Sequence, residues 1–429
     1  HDPIRSSDAR HASVLNGYPS IIDVPSFVDY MLMSELASNP DSYRFSTFFH
    51  KDKGGKLRAG PVWDYNLSFG SDLFVWGFDR SFYDVWQFDF GNVGSKFWKD
   101  LFNDATFRCY LAKRWFELTA TDQPLNYTTI SNQIDDYTNL LYESQKREQT
   151  RWGTVDSQLY NIADMKLWIE NRINWMDKNV GSASNCSNVK TPPLVISRIH
   201  YNPLEEPGHA SDDLEFIEIT NNSNTSTNVT GYYIKELGIS YQFPPNTNIA
   251  PQEKIYLCSN TAAFKSFYGF TPFGEFFRNL KNSSYNIVLA DAFGNVIDKV
   301  HYQDEAPWPE AADGSGPYLQ IKNIYADNNT ASNWTLGTQK VSGIDAKTSK
   351  QFITVYPNPS SNNLHIDWNY ASMPFLECTI YNSVGQSVGT YLLNDAKSQI
   401  DISLLEGGVY FYTITQGDNV VKKDRLIKL

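Results

Sequence analysis

Two aspartates lie on either side of a segment that has the pattern of a β-hairpin. A turn centred on Lys53 and Gly54 would pair residues whose numbers add up to about 107, which sets Asp41 nearly opposite Asp64. Neighbouring strands are only about 5 Å apart, so carboxylates at the open end of such a hairpin can share a divalent cation. The spacing therefore predicts a site of two carboxylates. The flanking strands are predicted at Tyr43–Lys51 and Lys56–Asp64.

The hairpin lies within residues 1–180, whose other segments mostly have the periodicity of helices. One helix leads directly into the hairpin and ends at the stop signal Asn39-Pro40. Four tryptophans of this region are expected to pack in the core, with a flat sugar-binding platform as the alternative: Trp63, Trp76, Trp86 and Trp98. The helices are predicted at Pro25–Leu36, Ser95–Leu118, Ile130–Lys146 and Ser157–Asn179.

The composition changes twice along the 429 residues. A small, polar, proline-ended stretch is typical of a linker, and short strands with Asn-, Gly- and Pro-rich turns follow it. The stretch from Ala311 to Lys350 lacks periodicity, and strands then resume. We predict a mostly helical domain at 1–182, linkers at 183–193 and 341–351, and β-domains at 194–340 and 352–429.

The net charge of −12 argues against binding to nucleic acid or to an anionic membrane, since both require a basic surface. No apolar run is long enough to cross a bilayer, so no transmembrane segment is expected. The four cysteines form no CxxC pair; buried free thiols are the expectation, and one disulfide of unassigned pairing is the alternative. The chain begins at His1 without a signal peptide, and we expect it to be a piece of a longer protein.

The hairpin region resembles the CotH family of secreted and spore-coat proteins, which have an atypical kinase fold. The resemblance is carried by FVDYMLMSELASNPDSYRFSTFFHKDKGGKLRAGPVWDYNLSFG (Phe27–Gly70) and by the later FWKDLFNDATFRCYLAKRWFEL. It implies phosphoryl transfer from ATP to a hydroxyl acceptor, such as an extracellular protein, with Mg²⁺ and ATP as cofactors. Asp41 would be the catalytic base, and Asp64 and Asn66 would hold Mg²⁺. Ser46 would occupy the cofactor-binding position where a kinase-like pattern has Asn.

The pattern departs from a complete kinase site. Asn66 stands where the family has an acid, and Ser46 is a weaker metal ligand than Asn. Kinase chemistry also needs a glycine-rich loop and a lysine ahead of the base, whereas the first lysine here is Lys51. Three interpretations are open: structural remnants in an inactive, pseudokinase-like domain, a kinase of which this chain is a fragment, or metal binding in a non-catalytic surface adhesion or scaffold protein.

Residues 194–340 resemble the lamin-tail domain, an immunoglobulin-like β-sandwich. The resemblance is carried by LVISRIHYNPLEEPGHASDDLEFIEITNNSN and VTGYYIKELGISYQFPPNTNIAPQEKIYLCSN. Four acids are expected to form a solvated strand edge, with a calcium site as the alternative: Asp212, Asp213, Glu215 and Glu218. The histidines His200, His209 and His301 are expected at the surface.

The last domain resembles the type IX secretion C-terminal sorting domain. The segments VYPNPSSNNLHID, TIYNSVGQSV, IDISLLEGGVYFYTI and VVKKDRLIKL occur in the family order. The resemblance implies a secreted or outer-membrane surface protein of a Bacteroidetes-type bacterium, with the type IX secretion machinery as a partner. An exposed basic strand is expected to be read by that machinery, from Lys422, Lys423, Arg425 and Lys428. The predicted fold class is multidomain: α+β with a partial atypical-kinase fold, followed by two all-β immunoglobulin-like sandwiches.

Overall fold

The chain forms two compact units, His1–Ala346 and Lys347–Leu429. Helices are concentrated in the N-terminal part of the first unit, and strands dominate the rest of the chain, in the predicted order. The structure is a computed structural model. It describes residues 11–70, 82–90, 94–155, 158–184, 186, 192–235, 238–338, 353–368, 376–395, 397–416 and 419–429.

The predicted helices are present in the described residues, and the segment 95–118 contains two of them. The helices are α1 (Tyr18–Ile21), α2 (Val24–Ala37), α3 (Phe97–Asn103), α4 (Ala105–Thr119), α5 (Tyr127–Trp152), α6 (Gln158–Asn179) and α7 (Thr261–Tyr268). α2 begins after Asp23, whose carboxylate accepts a hydrogen bond from Ser26 N at 3.1 Å. It ends at Ser38, which has a left-handed conformation with φ of 47°. Most of α2 is buried because α4 and the hairpin pack against it.

The predicted hairpin consists of β1 (Thr47–His50) and β2 (Arg58–Val62), which pair antiparallel. His50 lies opposite Arg58, one residue out of the predicted register, and Thr47 lies opposite Val62, two residues out. The strands leave the turn one residue out of the predicted register, and a further shift between Thr47 and Phe49, as at a β-bulge, adds the second residue. The ladder therefore ends before it reaches either aspartate, and the predicted direct pairing of Asp41 with Asp64 is wrong.

The core of the N-terminal region is built around Trp98, which is only 1% exposed. Its ring stacks on Tyr30 with centroids 5.3 Å apart, and Trp86 packs against the same core. Core packing is therefore confirmed for these two tryptophans, and the sugar-binding platform is wrong for them. Trp63 differs, being 62% exposed, and Trp76 lies outside the described residues.

A disulfide joins Cys109 on α4 to Cys186, which follows α6, with their Cα atoms 5.5 Å apart. The expectation of free thiols is wrong for this pair and correct for Cys258 and Cys378, which are buried and unpaired. Sequence spacing could not select the pair because 77 residues separate its members. Only the packing of α4 against the end of α6 brings the two thiols together.

The middle region is a strand-rich fold of several sheets, with one large apolar core and a smaller apolar cluster that includes Phe216 and Phe264. Its strands are β3 (Leu194–His200), β4 (Phe216–Asn221), β5 (Thr227–Asn228), β6 (Tyr233–Ile234), β7 (Asn248–Ile249), β8 (Lys254–Cys258), β9 (Gly274–Glu275), β10 (Tyr285–Ala290), β11 (Val296–Tyr302), β12 (Leu319–Ile321) and β13 (Trp334–Leu336). The sheet orders are β13-β12-β3-β4-β8-β9, β11-β10-β6 and β5-β7. β12 and β13 lie in the stretch 311–350 that was expected to be irregular, which corrects that expectation for part of it.

Glu215, directly before β4, and Glu218, within it, do not lie on a solvated edge, because β4 lies between β3 and β8. Glu218 is 1% exposed, and its carboxylate accepts hydrogen bonds from Ser197 and Tyr256 and pairs with Arg198 at 3.2 Å. Glu215 is completely buried on the opposite face of the strand. The alternation along the strand thus separates the two carboxylates, as their spacing predicts, but both faces are covered by protein.

The histidine expectation is also wrong at one position. His200 is 1% exposed, with its ring 3.1 Å from the hydroxyl of Tyr268 (Nδ1 to Oη). Burial lowers the pKa of His200 to about 3, so this ring is neutral at physiological pH. His301 is exposed and His209 is half-buried.

The C-terminal unit consists of two sheets that share one apolar core. Its strands are β14 (Ile353–Tyr356), β15 (Asn363–Trp368), β16 (Leu376–Tyr381), β17 (Ser387–Leu393), β18 (Lys397–Asp401), β19 (Gly408–Gln416) and β20 (Asn419–Lys428). They are ordered β14-β15-β18 and β17-β16-β19-β20. The basic strand is only partly exposed: Lys423 and Arg425 face solvent, Lys422 donates to Ile353 O at 2.7 Å, and Lys428 is buried.

Candidate active site

Asn39 connects the two aspartates of the hairpin region. It follows the left-handed end of α2 and is completely buried. Its side-chain oxygen accepts a hydrogen bond from Asp41 N at 3.1 Å, and its side-chain nitrogen lies 3.5 Å from the backbone oxygen of Asp64. The chain segments that carry Asp41 and Asp64 are therefore held by one buried amide, although the two residues are not ladder partners.

A tight turn carries the chain from Asp41 into β1. The backbone oxygen of Asp41 accepts from Phe45 N at 3.0 Å, which closes one helix-like turn. This turn brings Ser46 to the other aspartate, and its hydroxyl donates to Asp64 Oδ2 at 3.4 Å. The structure thus brings Ser46 and Asp64 together, two residues that the sequence assigned to one cofactor and metal site.

Asp64 is exposed and has a left-handed backbone with φ of 63°. This conformation is costly for residues other than glycine, although aspartate tolerates it better than most. Asn66 follows two residues later and is also exposed, and no hydrogen bond between the side chains of Asp64 and Asn66 occurs within the described residues. The carboxylate and the amide remain accessible to a ligand from solvent.

A buried ion pair lies next to the end of α2 that leads into the site. Glu35, on the last turns of α2, accepts hydrogen bonds from Gln87 N at 2.8 Å and from the Tyr43 hydroxyl at 2.9 Å. Arg172 of α6 donates to the same carboxylate at 3.1 Å and to Glu35 O at 2.8 Å. Burial raises the pKa of Glu35, and the Arg172 guanidinium opposes that shift. The pair therefore fixes the end of α2, which leads into Asn39.

This pair was not predicted from the sequence. The available signal was a glutamate within the mostly apolar run MLMSEL, in the last turns of α2, where most side chains are buried. A second connection lies nearby, where Phe69 N donates to Ala37 O at 2.8 Å and ties the segment after Asp64 to the end of α2.

Exposed apolar side chains lie close in sequence to Ser46 and Asp64. Phe45 and Phe48 are each 49% exposed, Val62 is 46% exposed, and Trp63 adjoins Asp64 directly. Arg44 stacks its guanidinium over the ring of Phe45 at 4.5 Å. Exposed rings beside a polar centre are common where a ligand or partner binds.

The donor set contains only oxygen from carboxylate, hydroxyl and amide groups, which suits Mg²⁺ or another hard cation. The described residues contain no group of three or more His, Cys, Asp or Glu that could hold a metal ion. In phosphoryl-transfer sites Mg²⁺ commonly takes further ligands from a bound nucleotide and from water.

Comparison with known families agrees with the order of the three regions. Residues 5–176 match the CotH kinase protein model. Residues 188–304 match the Lamin Tail Domain model, and residues 354–428 match the Secretion system C-terminal sorting domain model. The sorting domain indicates that the protein is secreted and attached to the cell surface. No helix in the described part of the chain is long and apolar enough to cross a membrane.

Other comparisons add little. No curated protein shows significant similarity to the chain. Among solved structures, PorZ, a surface component of the type IX secretion system of Porphyromonas gingivalis, shares 12% identity with a TM-score of 0.16, covering 52% of this chain and 36% of its own. The BSP domain of a biofilm-associated protein shares 12% identity with a TM-score of 0.17, covering 61% of this chain and 55% of its own. Neither likeness carries an argument about fold or function.

Proposed function

We propose that the N-terminal region carries the base and the metal side of a CotH-like phosphotransferase centre that acts on a hydroxyl acceptor, such as an extracellular protein. In this proposal Asp41 is the base, and Asp64, Asn66 and Ser46 form the metal side of the site. The observation that carries the proposal is the buried Asn39 amide, which joins the backbones of Asp41 and Asp64. An atypical-kinase fold here, and immunoglobulin-like topologies in the two β-regions, belong to the same proposal.

Each side chain would have a distinct task. Asp41 would accept a hydrogen bond from the acceptor hydroxyl and take its proton as the acceptor oxygen bonds to the γ-phosphorus of ATP, while the bond from that phosphorus to the bridging oxygen breaks and ADP leaves. Asp64 and Ser46 would present oxygen ligands, and Mg²⁺ held there would neutralise charge on the phosphates of ATP. Asn39 would keep the two halves at a constant separation, which is the main requirement of a reaction that depends on positioning and electrostatics.

A second candidate is a surface adhesion or scaffold protein without catalysis, and a specific observation favours it. α5 has no buried residue along its length, and it exposes several large apolar side chains: Tyr137, Leu140, Leu141 and Tyr142. Exposed apolar side chains on a long helix are a common feature of partner-binding surfaces. Such a protein would not need Asp41 or Asp64.

Two isosteric variants distinguish these functions. Transfer of labelled phosphate from Mg²⁺·ATP to the protein itself is the readout, with nucleotide binding measured in parallel. Asp41→Asn should abolish transfer and leave binding within about twofold, whereas Asp64→Asn should weaken both. Asp136→Asn, on the exposed surface of α5, is the matched control. Wild-type protein that neither binds nor transfers would support the scaffold instead.

A further inference from the structure

The turn of the hairpin is seated on the lamin-tail region. Gly54 has φ of 75° and lies against the ring of Phe277, where any Cβ would overlap the ring. Lys53 places its ammonium 4.5 Å from the centre of the same ring, and its backbone oxygen accepts a hydrogen bond from the Ser240 hydroxyl at 2.6 Å. An ion pair between Asp52 and Arg278 completes the contact. The glycine is thus required both by the turn and by the neighbouring domain.

A buried lysine joins the two regions behind this turn. Lys56 is 4% exposed, and its ammonium donates to Pro19 O at 2.6 Å and to Ala292 O at 2.8 Å. Pro19 belongs to the N-terminal region and Ala292 to the lamin-tail region. The same ammonium lies 4.0 Å from the centre of the Tyr233 ring. A buried ammonium must be satisfied by partners, and here both regions supply them.

The start of α2 is held in the same way. Asp23 caps α2, and its carboxylate accepts a hydrogen bond from the hydroxyl of Tyr233 at 2.5 Å. Arg58 on β2 lies 3.5 Å from the same carboxylate and donates to Lys235 O at 2.8 Å. The lamin-tail region therefore contacts the far ends of α2 and of the hairpin. These are the two elements whose other ends deliver Asn39 and Asp64.

We propose that the lamin-tail domain is a positioning part of the Asp41–Asp64 site and not an independent appendage. A two-stranded hairpin is marginally stable alone, so the contacts of its turn with Phe277 and of Arg58 with Asp23 and Lys235 help to fix its open end. Phe277, Lys56 and Tyr233 are the positioning residues in this account. The inference rests on the proposed function for its importance, but the geometric coupling can be measured without any nucleotide.

Hydrogen exchange of the full chain, followed by mass spectrometry, tests the coupling. Phe277→Ala removes the ring under the turn, and Tyr325→Ala, which is 79% exposed on the same domain, is the matched control. We expect Phe277→Ala to accelerate exchange about tenfold in residues 39–50 and 57–66, with β4 and β8 unchanged. The control should exchange like the wild type. Acceleration that is absent, or confined to residues 51–56, would overturn the proposal.

Two further variants keep the test decisive if Phe277→Ala disturbs folding. Lys56→Met keeps the length of the side chain without its charge, and Tyr233→Phe removes only the hydrogen bond to Asp23. Both should accelerate exchange in the same two segments, and Tyr233→Phe should do so less. Parallel titration with Mg²⁺·ATP should show affinity falling in the same order. Wild-type protein that does not bind ATP would refute the proposed function alone, because the exchange result would still report the coupling.

Discussion

The buried pair of Glu35 and Arg172 allows a quantitative prediction. Arg172→Met would remove the guanidinium that donates to the Glu35 carboxylate and to Glu35 O, Tyr83 O and Val85 O, at 2.6–3.1 Å. Breaking a buried ion pair by removing one partner typically costs 3–5 kcal/mol, because a charge is left without compensation. We expect a loss of about 4 kcal/mol in the free energy of unfolding.

Urea unfolding followed by far-ultraviolet circular dichroism measures this loss, since most helix lies in the N-terminal region. Arg147→Met, exposed on α5, is the matched control and should change stability by less than about 0.5 kcal/mol. Burial already raises the pKa of Glu35, and losing the guanidinium would raise it further. The folded variant would therefore hold a proton that the unfolded chain releases, so its stability would fall as the pH rises. A loss below about 1 kcal/mol, or a pH profile like that of the wild type, would refute this reasoning.

Three other predictions concern single features. Burial raises the pKa of Glu215 to about 9, so the free energy of unfolding of the wild type should fall as the pH rises from 5 to 8. Over that range Glu215→Gln should become up to about 4 kcal/mol more stable relative to the wild type, and equal pH profiles would contradict this. Reduction of the Cys109–Cys186 disulfide should lower the free energy of unfolding in urea by about 4 kcal/mol, because the bond closes a long loop. An unchanged free energy of unfolding would contradict the presence of this disulfide. Asn39→Ala should cost about 1–3 kcal/mol and weaken Mg²⁺·ATP binding; unchanged binding would remove Asn39 from the site.

The parts of the fold that sequence predicted well depend on local patterns. The run before Asn39-Pro40 forms α2 because its apolar spacing, its Asp23 cap and its proline signals agree. The hairpin was predicted correctly because the turn residues around Gly54 are also a local signal. Its register could not be predicted, because a bulge between Thr47 and Phe49 leaves no mark in the residue types.

The predictions that were wrong concern residues whose surroundings come from segments distant in sequence. Glu215 and Glu218 resemble surface acids in sequence, and they are buried because β3 and β8 flank β4 and residues distant in sequence pack on both of its faces. The disulfide partner of Cys109 could not be predicted from the sequence either, since only helix packing brings Cys186 close to it. At the candidate site, Asp41, Ser46 and Asp64 were predicted from the sequence as a group, and their roles remain a proposal. The structure adds Asn39 as the residue that joins them, together with the contact of Ser46 with Asp64.

The proposed metal site can be tested by calorimetric titration of the full chain with ATP, with and without Mg²⁺. The wild type should bind ATP only when Mg²⁺ is present, Asp64→Ala should bind at least about tenfold more weakly, and the exposed control Asp136→Ala should bind like the wild type. Equal affinities for the wild type and Asp64→Ala, or no Mg²⁺-dependent binding by the wild type, would contradict the proposed metal site.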